Sequence, residues 1–107
     1  MISTHILDTS LGKPATGVSV TLEIRNASIW KTLAEEKTNE DGRITFSIPT
    51  EVGSYRLIFK TEDYFATNRR EHFFQNAEVT FKITDTKRKY HVPLLLNPYG
   101  YSTYRGT

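Results

Sequence analysis

Along most of the chain, apolar and polar residues alternate with a period of two. Val18, Val20, Leu22 and Ile24 alternate with Ser19, Thr21, Glu23 and Arg25. Tyr55, Leu57 and Phe59 stand out from Arg56, Ile58 and Lys60 in the same way, and Val79, Phe81 and Ile83 from Thr80, Lys82 and Thr84. Tyr90, Val92, Leu94 and Leu96 alternate with His91, Pro93 and Leu95. Successive side chains of a strand point to opposite faces, so each of these runs predicts a half-buried strand. Turn-forming residues separate them: Gly12-Lys13-Pro14, Asn39-Glu40-Asp41-Gly42, Asp85-Thr86 and Asn97-Pro98. Gly42 is suited to a positive φ in its turn. The pattern predicts strands over 2–8, 17–25, 29–36, 43–48, 54–60, 77–84, 89–96 and 100–105. Short strands joined by tight turns point to an all-β antiparallel sandwich. Only Glu62 to Asn68 departs from the pattern. With acidic residues first and asparagine last, this segment predicts one short helix. Pro93 cannot donate to a ladder, so its strand is expected at a sheet edge or bulged there. An edge needs covering, and pairing with a second subunit would cover it.

A chain of 107 residues suits one domain, spanning 1–107. The net charge of +2 is too small, and the basic residues too scattered, to argue for a nucleic-acid partner. The one basic cluster, Lys87-Arg88-Lys89, reads as a polar turn between strands. With no cysteine, thiolate chemistry, disulfides and cysteine-ligated metals are excluded. No apolar run reaches membrane-spanning length. No charged segment followed by an apolar core opens the chain at Met1-Ile2-Ser3-Thr4-His5, and a soluble cytoplasmic protein without membrane contact is expected.

Three histidines occur, at 5, 72 and 91. On strand alternation His91 shares a face with Pro93 and Leu95, opposite the larger apolar set, and so points away from the core. His5, Arg43 and His91 can each be read as solvated surface residues. Physics also permits them to support hydrolysis by water, without demanding it, because neutral histidine can take a proton near neutral pH and a guanidinium can stabilise an oxyanion. There is no nucleophile elbow, phosphate-binding glycine loop or zinc-spaced histidine pair. The last residues, Tyr99 to Thr107, contain too many strand formers for a frayed tail. In that segment Ser102 and Tyr104 share one face while Thr103 and Arg105 share the other.

Four blocks carry a resemblance. Ser3-Thr4-His5-Ile6-Leu7-Asp8-Thr9 with Gly12-Lys13-Pro14-Ala15, Asn39-Glu40-Asp41-Gly42-Arg43, Tyr90-His91-Val92-Pro93-Leu94-Leu95-Leu96 with Asn97-Pro98-Tyr99-Gly100-Tyr101, and Tyr104-Arg105-Gly106-Thr107 resemble the signatures of 5-hydroxyisourate hydrolases, in order and from end to end. The one departure is Thr107, where serine is usual; threonine keeps the hydroxyl. The resemblance implies a transthyretin-like (prealbumin-like) sandwich of two four-stranded antiparallel sheets with one short helix. It implies a cyclic amide hydrolase that opens 5-hydroxyisourate in urate degradation, without cofactor or metal. It also implies a homotetramer, a dimer of dimers with its active sites between dimers. His5, Arg43 and His91 match the family's catalytic positions, and His5, Arg43, Tyr104 and Thr107 its substrate-binding positions. Which histidine is the base stays open. Two alternatives differ in class: a transthyretin-like small-molecule carrier without catalysis, and a structural sandwich domain. The second leaves His5, Arg43 and the Tyr104-Arg105-Gly106 run unexplained.

Overall fold

The computed structural model describes residues 1–107. The strands are β1 (Ile2–Asp8), β2 (Lys13–Pro14), β3 (Ser19–Asn26), β4 (Ile29–Lys37), β5 (Arg43–Phe46), β6 (Gly53–Phe59), β7 (Ala77–Ile83), β8 (Tyr90–Asn97) and β9 (Gly100–Thr103), with the helix α1 (Thr61–Thr67) between β6 and β7. They build two facing sheets. One runs β4-β3-β6-β7 and is antiparallel throughout. The other runs β2-β1-β8-β9, with β5 also on β1. The alternation seen in the sequence is realised as burial: Val20, Leu22, Tyr55, Leu57, Phe59, Leu94 and Leu96 are all essentially inaccessible, within one cluster of 19 buried apolar residues between the sheets. Burying these side chains is the main driving force of the fold.

Three details differ from the sequence-based expectation. First, β1 and β8 run parallel, with Ile2 opposite Tyr90 and Asp8 opposite Leu96. A period of two specifies which face a residue takes but not the direction of the neighbouring strand. Second, the β1 sheet has an extra two-residue strand. The outer side of β1 is shared, with β5 covering Ile2 to His5 and β2 covering Leu7 and Asp8. Third, β8 is not an edge strand, because β1 and β9 flank it. Pro93 is tolerated for a local reason. Leu94 pairs with Thr103 and His91 with Gly106 in one unbroken register, and the rung missing between them is the one Pro93 would have made. The Thr103 hydroxyl donates to the Pro93 carbonyl at 2.7 Å, so that acceptor stays satisfied.

One carboxylate lies inside this apolar frame. Asp8, at the end of β1, has no solvent exposure. It accepts hydrogen bonds from the Arg70 guanidinium (2.6 Å), the Tyr64 hydroxyl (2.8 Å) and Ser10 (2.7 Å), and Arg70 also reaches the Ser10 hydroxyl. The network ties β1 to α1 and to the loop behind it. Burial alone would raise the Asp8 pKa, but the bonds from Arg70, Ser10 and Tyr64 outweigh it and hold the value at about 2. The same burial and the bond to Asp8 push the Tyr64 hydroxyl up to about 12.

A folded-state value of about 2 against an ordinary 3.8 means that Asp8 stabilises the fold above pH 4 and loses that contribution as pH falls through 2. The contribution amounts to about 2 kcal/mol. Asp8→Asn leaves Arg70 without its counter-charge and is expected to cost about 3 kcal/mol at pH 7. Urea-unfolding midpoints at a fixed protein concentration should show the gap between the two proteins narrowing as pH is lowered from 4 to 2. A gap independent of pH would contradict the assignment.

Candidate active site

The loop before β5 places Arg43. The Asn39 side-chain oxygen accepts from the backbone N–H groups of Asp41 (2.9 Å) and Arg43 (3.0 Å), which closes the turn locally. Gly42 sits at φ +72°, and a Cβ there would lie 2.6 Å from the Ile6 carbonyl oxygen. Only glycine fits this position. The Gly42 carbonyl in turn accepts from the Ile6 N–H at 2.8 Å, which pins the turn to β1. Arg43 therefore begins β5 directly opposite His5.

On the other side of β1, Ser3 lies opposite His91 and His5 opposite Pro93. Residues opposite one another share a face, so Ser3, His5, Arg43, His91 and Pro93 all project from the outer face of the sheet. His5 and His91 are half-buried, while Arg43 is exposed. Ser3 Oγ lies 2.8 Å from His91 Nδ1. Gly106 runs alongside, its N–H donating to the His91 carbonyl at 2.8 Å. Its missing side chain is what makes room for the imidazole: a Cβ at Gly106 would run into the ring at Cδ2. The pKa of His91 is lowered from 6.5, first by burial and then by electrostatic repulsion from Arg43 and His5. An imidazole held below its ordinary range is a neutral base at physiological pH.

A concavity of about 680 Å³ opens beside these groups, and its lining includes Ser3, Arg43, His91, Gly106 and Thr107. Arg88, Lys89 and Arg105 line it as well, and no carboxylate side chain does. None of its four cationic side chains belongs to an ion pair; the paired cations, Arg56, Lys60 and Arg70, lie elsewhere. Arg105 is held over the Tyr90 ring, 4.7 Å from its centre, and donates to the Lys89 carbonyl at 3.3 Å. Unpaired cations lining one groove favour an anionic ligand or developing negative charge.

Of the residues singled out from the sequence, His5, Arg43 and His91 are brought together, and Thr107 shares the groove of the last two. Tyr104 is not in that groove. It is 57% exposed and lines a neighbouring hollow with His91, Tyr90 and Thr103. The basic cluster Lys87-Arg88-Lys89 does form a turn, with Asp85 accepting from Lys87 and Arg88, but two of its three side chains also line the groove. Sequence reasoning did not single out Ser3 or Gly106. Both lie in the motif blocks, but their contacts with His91 span 88 and 15 positions and leave no local signal. His72 stacks on Phe65 and sits 3.7 Å from Glu62, outside this group.

This is a transthyretin-like sandwich whose outer face carries a histidine–arginine constellation suited to hydrolysis. Residues 2–106 match the HIUase/Transthyretin family, and the chain belongs to it. It is 47% identical to a 5-hydroxyisourate hydrolase of Salmonella dublin, over all of this chain and 81% of that one. Among solved structures, a 5-hydroxyisourate hydrolase of Klebsiella pneumoniae is similar at 42% identity with a TM-score of 0.88, covering 99% of this chain and 98% of that one. Sea bream transthyretin in complex with thyroxine is similar at 29% identity with a TM-score of 0.92, covering 99% and 94%.

The geometry predicts the titration of His91. Its NMR midpoint is expected below 6.5, moving up towards that value in Arg43→Ala, since one of the charges that depress it is removed. A midpoint at or above 6.5 in the unsubstituted protein would overturn this account of the site.

Proposed function

We propose that residues 1–107 act as one transthyretin-like hydrolase domain that hydrolyses 5-hydroxyisourate to 2-oxo-4-hydroxy-4-carboxy-5-ureidoimidazoline, in urate degradation. The observation that carries this reading is a half-buried His91, its pKa depressed, sharing a groove with the unpaired guanidinium of Arg43. Likeness to proteins named as 5-hydroxyisourate hydrolases, at higher identity than to transthyretins, supports the substrate.

The chemistry follows from what these groups can do. His91 takes a proton from water as the water oxygen bonds to the ring carbonyl carbon. Negative charge then collects on the carbonyl oxygen, where Arg43 stabilises it as a fixed guanidinium needing little reorganisation. The tetrahedral intermediate collapses by breaking the carbon–nitrogen bond, and the imidazolium returns its proton to the leaving nitrogen. His5, beside Arg43, contacts substrate. Water is the nucleophile, and the sequence of steps calls on no cofactor. Tyr104 and Thr107 complete the pocket. Tyr104 does so from outside the groove of its own chain, which suits a site closed by neighbouring subunits in a homotetramer built as a dimer of dimers. A cytoplasmic location belongs to the same reading, for a hydrolase acting on a diffusible small molecule.

Ultraviolet decay of freshly made 5-hydroxyisourate tests the activity directly. Acceleration by the purified protein is expected, and binding without acceleration would instead favour a carrier. Arg43→Ala is expected to lower turnover by about 10²–10³, the usual cost of one oxyanion contact. Arg43→Lys should recover part of it, because the charge returns without the planar fork. His72→Ala should leave turnover nearly unchanged. Near-normal turnover in a folded Arg43→Ala protein would remove Arg43 from the reaction.

For the assembly, light scattering at micromolar concentration should give four times the 12.3 kDa chain mass. A value near the monomer would contradict the tetramer.

A further inference from the structure

We infer that Ser3 is the positioning residue of the catalytic base: its hydroxyl oxygen accepts a hydrogen bond from the Nδ1–H of His91 and so leaves the Nε2 lone pair to the attacking water. The inference rests on the reading of the groove as a hydrolytic site and deepens it, since it also decides which ring nitrogen and which histidine does the work.

A neutral imidazole has one nitrogen that donates and one that accepts. A base free to exchange tautomers presents its lone pair to water only part of the time. Here one nitrogen is already engaged. Ser3 Oγ and His91 Nδ1 are 2.8 Å apart because the parallel register of β1 and β8 sets these residues side by side. On its Cδ2 side the ring is flanked by backbone. Gly106 lies where any side chain would collide with the ring at Cδ2, and a Cβ there would also come within 3.2 Å of Pro93 Cγ. The Gly106 N–H holds its own strand against the His91 carbonyl. With Nδ1 tied and one flank covered, Nε2 is the nitrogen left for the groove that His91 shares with Arg43. His5 has no comparable anchor, since no side-chain hydrogen bond fixes its ring while both nitrogens of a base must be assigned.

A serine hydroxyl can donate or accept, so the direction of this one hydrogen bond decides the chemistry. If Ser3 accepts, Nδ1 keeps its proton throughout. Nε2 then receives the proton of water as the oxygen–carbon bond forms and returns it to the leaving nitrogen as the carbon–nitrogen bond breaks. If Ser3 donated, Nε2 would carry the proton and could not act as the base.

Two readouts test this on the full chain. Nitrogen-15 shifts of the His91 ring at pH 7.5 report the tautomer independently of activity. The expected result is the Nδ1–H form in the unsubstituted protein, a mixture of tautomers in Ser3→Ala, and a return to Nδ1–H in Ser3→Thr. Steady-state hydrolysis of 5-hydroxyisourate should show kcat reduced roughly tenfold in Ser3→Ala, a fraction of the 10²–10⁴ that a general base supplies. KM should stay within about twofold, and Ser3→Thr should restore most of kcat. An Nε2–H tautomer in the unsubstituted protein would overturn the inference, as would an unchanged tautomer and kcat in Ser3→Ala. An Nδ1–H tautomer that depends on Ser3, in a protein without hydrolase activity, would sink the functional reading and leave the positioning role standing.

Discussion

The parallel pairing of β1 with β8 is the constraint on which the site depends. These strands lie 88 residues apart in the chain, and their register sets Ser3 beside His91 and His5 beside Pro93. On the other side of β1, β5 joins in its own antiparallel register, which places Arg43 across from His5. A slip of one residue in either pairing would turn the polar set into the core and the apolar set out to water. That slip is opposed by Ile2, Ile6, Leu94 and Leu96, all essentially inaccessible on the inner face. Core packing therefore also holds the geometry of the outer face. The histidines of the site stand on strands, while turns and the C-terminal segment bring Arg43, Arg88, Lys89 and Thr107 to the groove.

Two ionisable groups in the same sheet show how environment sets their behaviour. Asp8 is fully buried yet stays charged, because Arg70, Tyr64 and Ser10 satisfy its oxygens. His91 is only half-buried, yet its charged form is disfavoured, because burial is reinforced by the nearby Arg43 guanidinium instead of being offset by a carboxylate. Asp8 therefore fastens β1 to the helix, while His91 keeps a lone pair free. The groove's lack of a carboxylate side chain is thus a chemical feature: one beside His91 would stabilise its imidazolium and raise its pKa.

Much of this was legible from the residues. The strand pattern located nearly every element, because a half-buried strand must alternate, and it correctly turned His91 outward. The helix appeared one residue earlier than expected, at Thr61–Thr67, within the ordinary fraying of helix ends. The motif blocks picked out His5, Arg43 and His91, which the fold brings together. Gly42 was expected at positive φ and has it. Reasoning from Pro93 expected β8 at an edge or bulged there, and it failed because a missing donor can also be absorbed by one omitted rung inside a sheet, in unbroken register.

What the sequence determined by itself was local and periodic: which residues face inward, where the chain turns, and which chemistry-bearing residues stand on the outer face. Side-chain alternation and turn stereochemistry depend only on near neighbours, so they can be read along the chain. The tertiary structure alone decided the direction and register of β1 against β8, the contact of Ser3 with His91, the passage of Gly106 beside the imidazole, and the capture of Asp8 by Arg70. It also decided that Arg88 and Lys89, an ordinary polar turn in the sequence, line the groove with His91. Each of these is a contact between segments far apart in the chain. Such contacts are selected by burial of the whole core, a sum over both sheets that no single stretch of residues contains.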